Sequence, residues 1–155
     1  MGLEIERKFL IDKTLWEQLP KSPGKLYRQG YLTNDPGKTI RVRQTATTSY
    51  LTIKGRNVGA VRPEFEYEIP GEDATELLDK FSHSEISKIR YEIKVGNHTW
   101  EVDEFLGENT GLIVAEIELL SEDESFELPA WIGKEVTADN KYYNSQLAAY
   151  PYASW

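Results

Sequence analysis

Charged side chains recur two residues apart along much of this chain. Carboxylates repeat as Glu4/Glu6, Glu66/Glu68 and Glu116/Glu118, and cations repeat as Arg41/Arg43 and Lys88/Arg90. Carboxylate oxygens are hard donors that select Mg²⁺ or Mn²⁺. Guanidinium forks bind phosphate oxygens in pairs, and ammonium groups add compact point charges. Together these groups suit phosphoryl transfer, which asks a protein for charge neutralisation and an in-line water and little covalent chemistry. Other chemistries lack their signatures. The chain has no P-loop, GxGxxG, HExxH or Gly-x-Ser-x-Gly motif. His83 and His98 read as surface residues, and the aromatic side chains read mainly as packing groups.

Spacing of two is strand spacing, so strands must position these groups. Leu3–Ile11 alternates Glu4, Glu6 and Lys8 with Leu3, Ile5, Phe9 and Ile11. Further strands are expected over Leu26–Thr33, Thr39–Thr45, Ser49–Lys54, Glu64–Ile69, Ile86–Val95, His98–Phe105 and Ile113–Leu120. The segments Asn34-Asp35-Pro36-Gly37, Lys54-Gly55 and Val95-Gly96-Asn97 supply turns between them. Short helices are expected over Thr14–Leu19 and Asp73–Phe81. Ser121 and Glu124 form a capping-box pattern, and Thr137 is a candidate N-cap for a helix running towards Ala149. The expected fold is mainly β, with some eight short strands whose regular spacing suggests a barrel or a sandwich rather than βαβ units, and with a few short helices.

Any one charged strand face is ordinarily a wet face. The segregation of signs into separate pairs argues otherwise. In a closed barrel these faces would point into a lumen, acidic on one side and basic on the other. Glu64, Glu66, Glu101 and Asp103 share the charged parity of their strands, and Lys54 shares a face with Thr52.

Composition bounds the rest. With 155 residues and no visible repeat or low-complexity linker, one domain over 1–155 is expected. No run is long and apolar enough to span a membrane, and the charged N-terminal residues do not form a signal peptide. The absence of cysteine excludes disulfides and thiolate chemistry. A net charge of −8 disfavours a nucleic-acid partner but not a small polyphosphate held by a few focused cations and a metal. A cytoplasmic protein without membrane or nucleic-acid partners is expected, with a homodimer left open.

The residues also carry a resemblance. Glu4-Ile5-Glu6-Arg7-Lys8 resembles the ExExK signature of the CYTH superfamily, the triphosphate tunnel metalloenzymes. The likeness continues through Arg28-Gln29-Gly30-Tyr31-Leu32, Arg41-Val42-Arg43, Thr52-Ile53-Lys54 and Glu64–Ile69. It extends through Lys88-Ile89-Arg90-Tyr91, Trp100-Glu101-Val102-Asp103 and Ala115–Leu119 to Glu135-Val136-Thr137, Tyr142, Tyr143, Asn144 and Leu147. The resemblance implies a closed eight-stranded antiparallel β-barrel, a tunnel with a few short helices outside and a C-terminal helix, acting on a triphosphate with a divalent metal, Mg²⁺ or alternatively Mn²⁺. By it, Glu4, Glu6, Glu116 and Glu118 would hold metal, and Lys8, Arg41, Arg43, Lys54, Lys88 and Arg90 would bind the substrate. Glu6, Lys8 and Lys88 are the expected catalytic residues, Lys88 as a base only if Arg90 and desolvation depress its pKa.

The small size, similar to that of small bacterial members, favours hydrolysis of inorganic triphosphate to pyrophosphate and phosphate. The alternatives at the same site are a class IV adenylyl cyclase, a thiamine or nucleoside triphosphatase, and a non-catalytic polyphosphate- or nucleotide-binding module.

Overall fold

The computed structural model describes residues 2–35 and 37–155; Pro36, in the turn expected at Asn34–Gly37, lies outside it. Along the described chain run β1 (Leu3–Ile11), α1 (Lys13–Gln18), β2 (Lys25–Asp35), β3 (Lys38–Gln44), β4 (Ser49–Gly55), β5 (Val61–Ile69) and α2 (Gly71–Phe81). After them come β6 (Ser84–Val95), β7 (His98–Phe105), β8 (Ile113–Glu118), β9 (Ile132–Glu135) and α3 (Asn144–Ala149). Every pairing is antiparallel, in the order β5-β4-β3-β2-β6-β7-β8-β1. Leu3, Glu4 and Ile5 then pair with Pro63, Arg62 and Val61, which closes the eight strands into a barrel. Where β5 leaves β1, β9 takes over the same edge, with Phe9 opposite Glu135 and Ile11 opposite Ile132. Closure in this way leaves β1 without a long free edge.

The alternation read from the sequence decides which face goes where. The largest apolar cluster lies outside the barrel wall. Phe9, Trp100, Val102, Ala115 and Ile117 project outward and are covered by Trp16 of α1 and by Trp131. Edge-to-face rings add geometry to that burial, with Phe9 and Trp100 centroids 5.4 Å apart. On the opposite side α2 lays Ala74 and Leu78 over Val42. It packs so close to β2 that a Cβ on Gly30 would stand 2.6 Å from Leu78 Cδ2. The β6–β7 hairpin turns through two residues, with Gly96 at φ +61°, a conformation that favours glycine in a two-residue connection.

The inward face changes character along the barrel. Beyond Lys8, Lys88, Asp103 and Glu116 the next inward positions are Leu10, Ile86, Phe105 and Val114, all apolar. Leu147 of α3 and Tyr142 pack onto these residues, and Leu147 is fully buried. The C-terminal segment therefore corks this end of the lumen rather than lying on the outer wall.

Three local expectations are corrected. Ser121 and Glu124 start no helix. Ser121 Oγ bonds Asp123 and Glu124 accepts from the Leu120 N–H, while Phe126 is drawn over Phe9 and Trp100. Packing of one aromatic residue overrides a local cap signal. Thr137 is not an N-cap, because its hydroxyl accepts from the Lys8 N–H and donates to Glu135, fastening the β9 segment to β1. The last helix begins only at Asn144, after a 3-10 turn over Asn140–Tyr142. The four-residue β9 has no alternation long enough to read from the sequence.

Leu147→Ala should destabilise the fold by roughly 2–5 kcal/mol, as emptying a fully buried leucine site does elsewhere. Urea unfolding measures this, and a change within error of zero would show that α3 does not seal the barrel end.

Candidate active site

All ten residues singled out by parity and family likeness border one cavity of about 190 Å³, together with Glu64, Glu66, Glu101 and Asn144. Strand register brings them there. Glu6 stands opposite Glu118, Lys8 opposite Glu116, Glu116 opposite Glu101, Arg90 opposite Asp103, and Lys54 opposite Glu64.

The expected division into an acidic and a basic wall is only partial. Lys8 Nζ bridges Glu6 and Glu116, 2.9 Å from each. Lys54 Nζ lies 3.0 and 3.2 Å from the two Glu4 oxygens. Burial is the largest influence on Glu6 and would raise its pKa, but Lys8, Lys54 and a hydrogen bond with Glu116 together hold the carboxyl below its ordinary range. Burial alone would likewise lower the Lys8 pKa, but Glu116 and Glu6 raise it instead.

Asp103 is the main anchor of the opposite wall, and it is fully buried. It accepts from Arg90 through Nε at 2.7 Å and Nη2 at 2.8 Å, and it pairs with Lys88 Nζ at 2.8 Å. Lys88 also donates to Asn144 Oδ1 of α3 at 2.8 Å. Burial opposes ionisation of Asp103, but Arg90 and Lys88 keep it ionised to below its usual range. For Lys88 the balance tips the other way. Burial pushes its pKa down to about 8 against the pull of Asp103, and Arg90 pushes in the same direction.

Two poles of uncancelled charge remain. Arg41 and Arg43 reach Glu66 only at 3.6 and 3.8 Å, and the buried Nε of each has no hydrogen-bond partner. The Arg43 pKa is lowered by burial and by the charges of Arg41 and Arg90. At the other pole Glu118 lies exposed near the opening beside His98 and Glu124. Partial desolvation, with Glu4, Glu6, Glu64 and Glu101 around it, pushes Glu118 up to about 7. At one pole two guanidinium groups share a single distant carboxylate, and at the other carboxylates outnumber the cations.

The donor set at the negative pole suits a hard divalent cation, since Glu4, Glu6, Glu116 and Glu118 offer carboxylate oxygens alone. Among the described residues no three acidic or histidine side chains are drawn together into a ready-made cage. Lys8 and Lys54 hold three of these four carboxylates instead.

Asp103 and Asn144 carry weight that the sequence reading did not assign. The parity of Asp103 with Glu101 pointed to it. No periodic signal pointed to Asn144, because its place depends on how the cork docks. Tyr143 and Asn144 line the adjoining cavity, which leads towards an opening between α3 and the β4–β5 loop lined by Arg56, Asn57 and Arg62. Tyr142 is instead buried in the cork.

Comparison with known proteins matches this architecture to a family. The CYTH domain profile matches residues 2–148, and the chain belongs to that family. It is 48% identical to an inorganic triphosphatase of Acetivibrio thermocellus, over 100% of this chain and 99% of that one. It is 36% identical to an inorganic triphosphatase of Nitrosomonas europaea, over 94% and 96% of the two chains. A crystal structure of an inorganic triphosphatase is similar at a TM-score of 0.63 and 35% identity, covering 94% of this chain and 97% of that one.

Lys88 gives the site a pH signature in stability. Its pKa is depressed on folding, from 10.5 to about 8. Below the folded value both states carry the proton and the burial penalty is present in full. As pH rises from about 8 towards 10.5, the unfolded chain holds a proton that the folded one has lost, so stability rises by roughly 3 kcal/mol from this group. Urea unfolding across that window should show the rise in wild type and not in Lys88→Met. A Met variant that keeps the rise would remove Lys88 as its source.

Proposed function

We propose that this chain hydrolyses inorganic triphosphate to pyrophosphate and phosphate inside the tunnel, with a divalent metal, Mg²⁺ in preference to Mn²⁺. The observation that carries the reading is the pair of uncancelled poles in one narrow lumen. A linear polyanion laid against Arg41 and Arg43, with a cation beside it at the carboxylates, neutralises both at once. The names of the two relatives that match along nearly the whole chain supply the substrate.

In this reading Lys8, Arg41, Arg43, Lys54, Lys88 and Arg90 bind phosphate oxygens. Glu4, Glu6, Glu116 and Glu118 would hold the metal, which would supply charge neutralisation and Lewis acidity to the phosphoryl oxygens. Lys8, spanning Glu6 and Glu116, keeps one ammonium beside two of the carboxylates that would hold the metal. Lys88, with its pKa near 8, takes the proton from the attacking water. As the new P–O bond forms, the bridging P–O bond breaks and pyrophosphate leaves. Asp103 and Asn144 hold the Lys88 nitrogen in place throughout.

Substrate choice follows from length. Pyrophosphate would leave some cations unpaired. ATP presents three phosphates but must seat its nucleoside at an opening, where Tyr143 and the α3 cork narrow the way. A tenfold preference needs only about 1.4 kcal/mol of transition-state binding.

Steady-state phosphate release at one pH and saturating Mg²⁺ should rank kcat/KM as triphosphate above ATP above pyrophosphate. Glu6→Gln should cut the triphosphate rate by roughly two orders of magnitude at limiting metal, a loss of about 2.7 kcal/mol. Faster turnover of ATP, or release of cyclic AMP, would assign a different reaction.

A further inference from the structure

A band of side chains crosses five neighbouring strands of the lumen: Tyr50 on β4 opposite Arg43 on β3, then Tyr27 on β2, diagonal to both Arg43 and Arg90, and Arg90 on β6 opposite Asp103 on β7. Aromatic rings and guanidinium groups alternate along it. Arg43 Cζ lies 5.3 Å from the Tyr50 ring centre and 5.2 Å from that of Tyr27. Arg90 Cζ lies 5.1 Å from the Tyr27 ring as well.

The two arginines are held in different ways. Arg90 spends Nε and Nη2 on Asp103 and Nη1 on Glu101. Arg43 has no such anchor. Its nearest carboxylate oxygen, on Glu66, is 3.8 Å away, beyond hydrogen-bond reach, and its buried Nε has no partner. Burial and the repulsion of Arg41 and Arg90 both act against its charge. What remains to fix it is the pair of rings. A ring attracts a cation through its π face. It takes up no N–H group in doing so, whereas a carboxylate would consume the donors that a phosphate needs.

We propose that Tyr27, assisted by Tyr50, is a positioning residue that holds Arg43 by ring contact and so keeps its N–H donors free for a triphosphate oxygen. The proposal rests on the reading of Arg43 as a phosphate-binding group. Tyr27 acts through its ring and not its hydroxyl, so phenylalanine should replace it and an aliphatic residue should not.

Wild type, Tyr27→Phe, Tyr27→Leu and Tyr50→Leu are compared in two measurements, calorimetric binding of inorganic triphosphate and its steady-state hydrolysis with Mg²⁺. Tyr27→Leu should weaken binding and raise KM by about tenfold, the scale of a desolvated cation–π contact. Its kcat should stay within about threefold of wild type, because Arg43 does not perform the proton transfer. Tyr27→Phe should match wild type in both measurements, and Tyr50→Leu should shift binding in the same direction by less. Unchanged affinity in Tyr27→Leu, or equal damage from Phe and Leu, overturns the proposal. If Tyr27→Leu does not fold, the Phe and Tyr50→Leu variants decide: wild-type affinity in Tyr50→Leu, or weakened affinity in Tyr27→Phe, overturns it. Wild type that binds triphosphate without hydrolysing it defeats the enzymatic reading instead, and the affinity pattern alone then tests Tyr27. Wild type that does not bind triphosphate defeats both.

Discussion

Burying many charges in a narrow lumen is the constraint from which the rest of this structure follows. An unpaired charge taken out of water costs several kcal/mol even after relaxation, so each buried group needs a partner from a facing strand. Lys8 between Glu6 and Glu116, Lys54 on Glu4, and Lys88 with Arg90 on Asp103 meet that demand. Each partnership depends on register, because a slip of one residue would turn every inward charge outward. The apolar cores outside the wall fix that register. Trp100, Val102, Ala115 and Ile117 cannot trade faces with Glu101, Asp103, Glu116 and Glu118 without exposing the core and stranding the charges together.

The barrel is also asymmetric from end to end, and this shapes the site. Where the inward face turns apolar, Leu147 and Tyr142 fill it, so Lys88 is shielded on that side while it borders the cavity on the other. Burial there is the largest influence on the Lys88 pKa, so the cork tunes the chemistry from a distance while Asn144 touches the group directly. At the far opening carboxylates gather around Glu118 without enough cations to cancel them. Self-pairing is therefore complete in the middle of the wall and incomplete at two places, one of each sign.

Much of this was legible in the sequence because strand parity is a strong signal. Glu4, Glu6 and Lys8 could be placed on one face of β1 before any fold was known, and so could Arg41/Arg43, Lys88/Arg90 and Glu116/Glu118. Parity could not say which charges pair across strands. Segregated pairs of charges imply separate acidic and basic walls, whereas Lys8 sits within the acidic one. Signals that depend on tertiary packing were lost. The capping pattern at Ser121 yields to the docking of Phe126, and Thr137 is taken up by β1. The ring contacts of Tyr27 arise from residues diagonal across two strand pairs, which no single-strand pattern records.

The central claim is that two opposite uncancelled poles in one lumen await a polyanion and a cation together. Thermal unfolding with inorganic triphosphate and Mg²⁺, separately and combined, tests it most directly, since ligands that bind the folded state alone raise its stability by mass action. The combined ligands should raise the midpoint by more than the sum of their separate shifts, and sulfate at matched ionic strength should not reproduce the effect. A midpoint unmoved by triphosphate with Mg²⁺, or moved equally by sulfate, would contradict the claim.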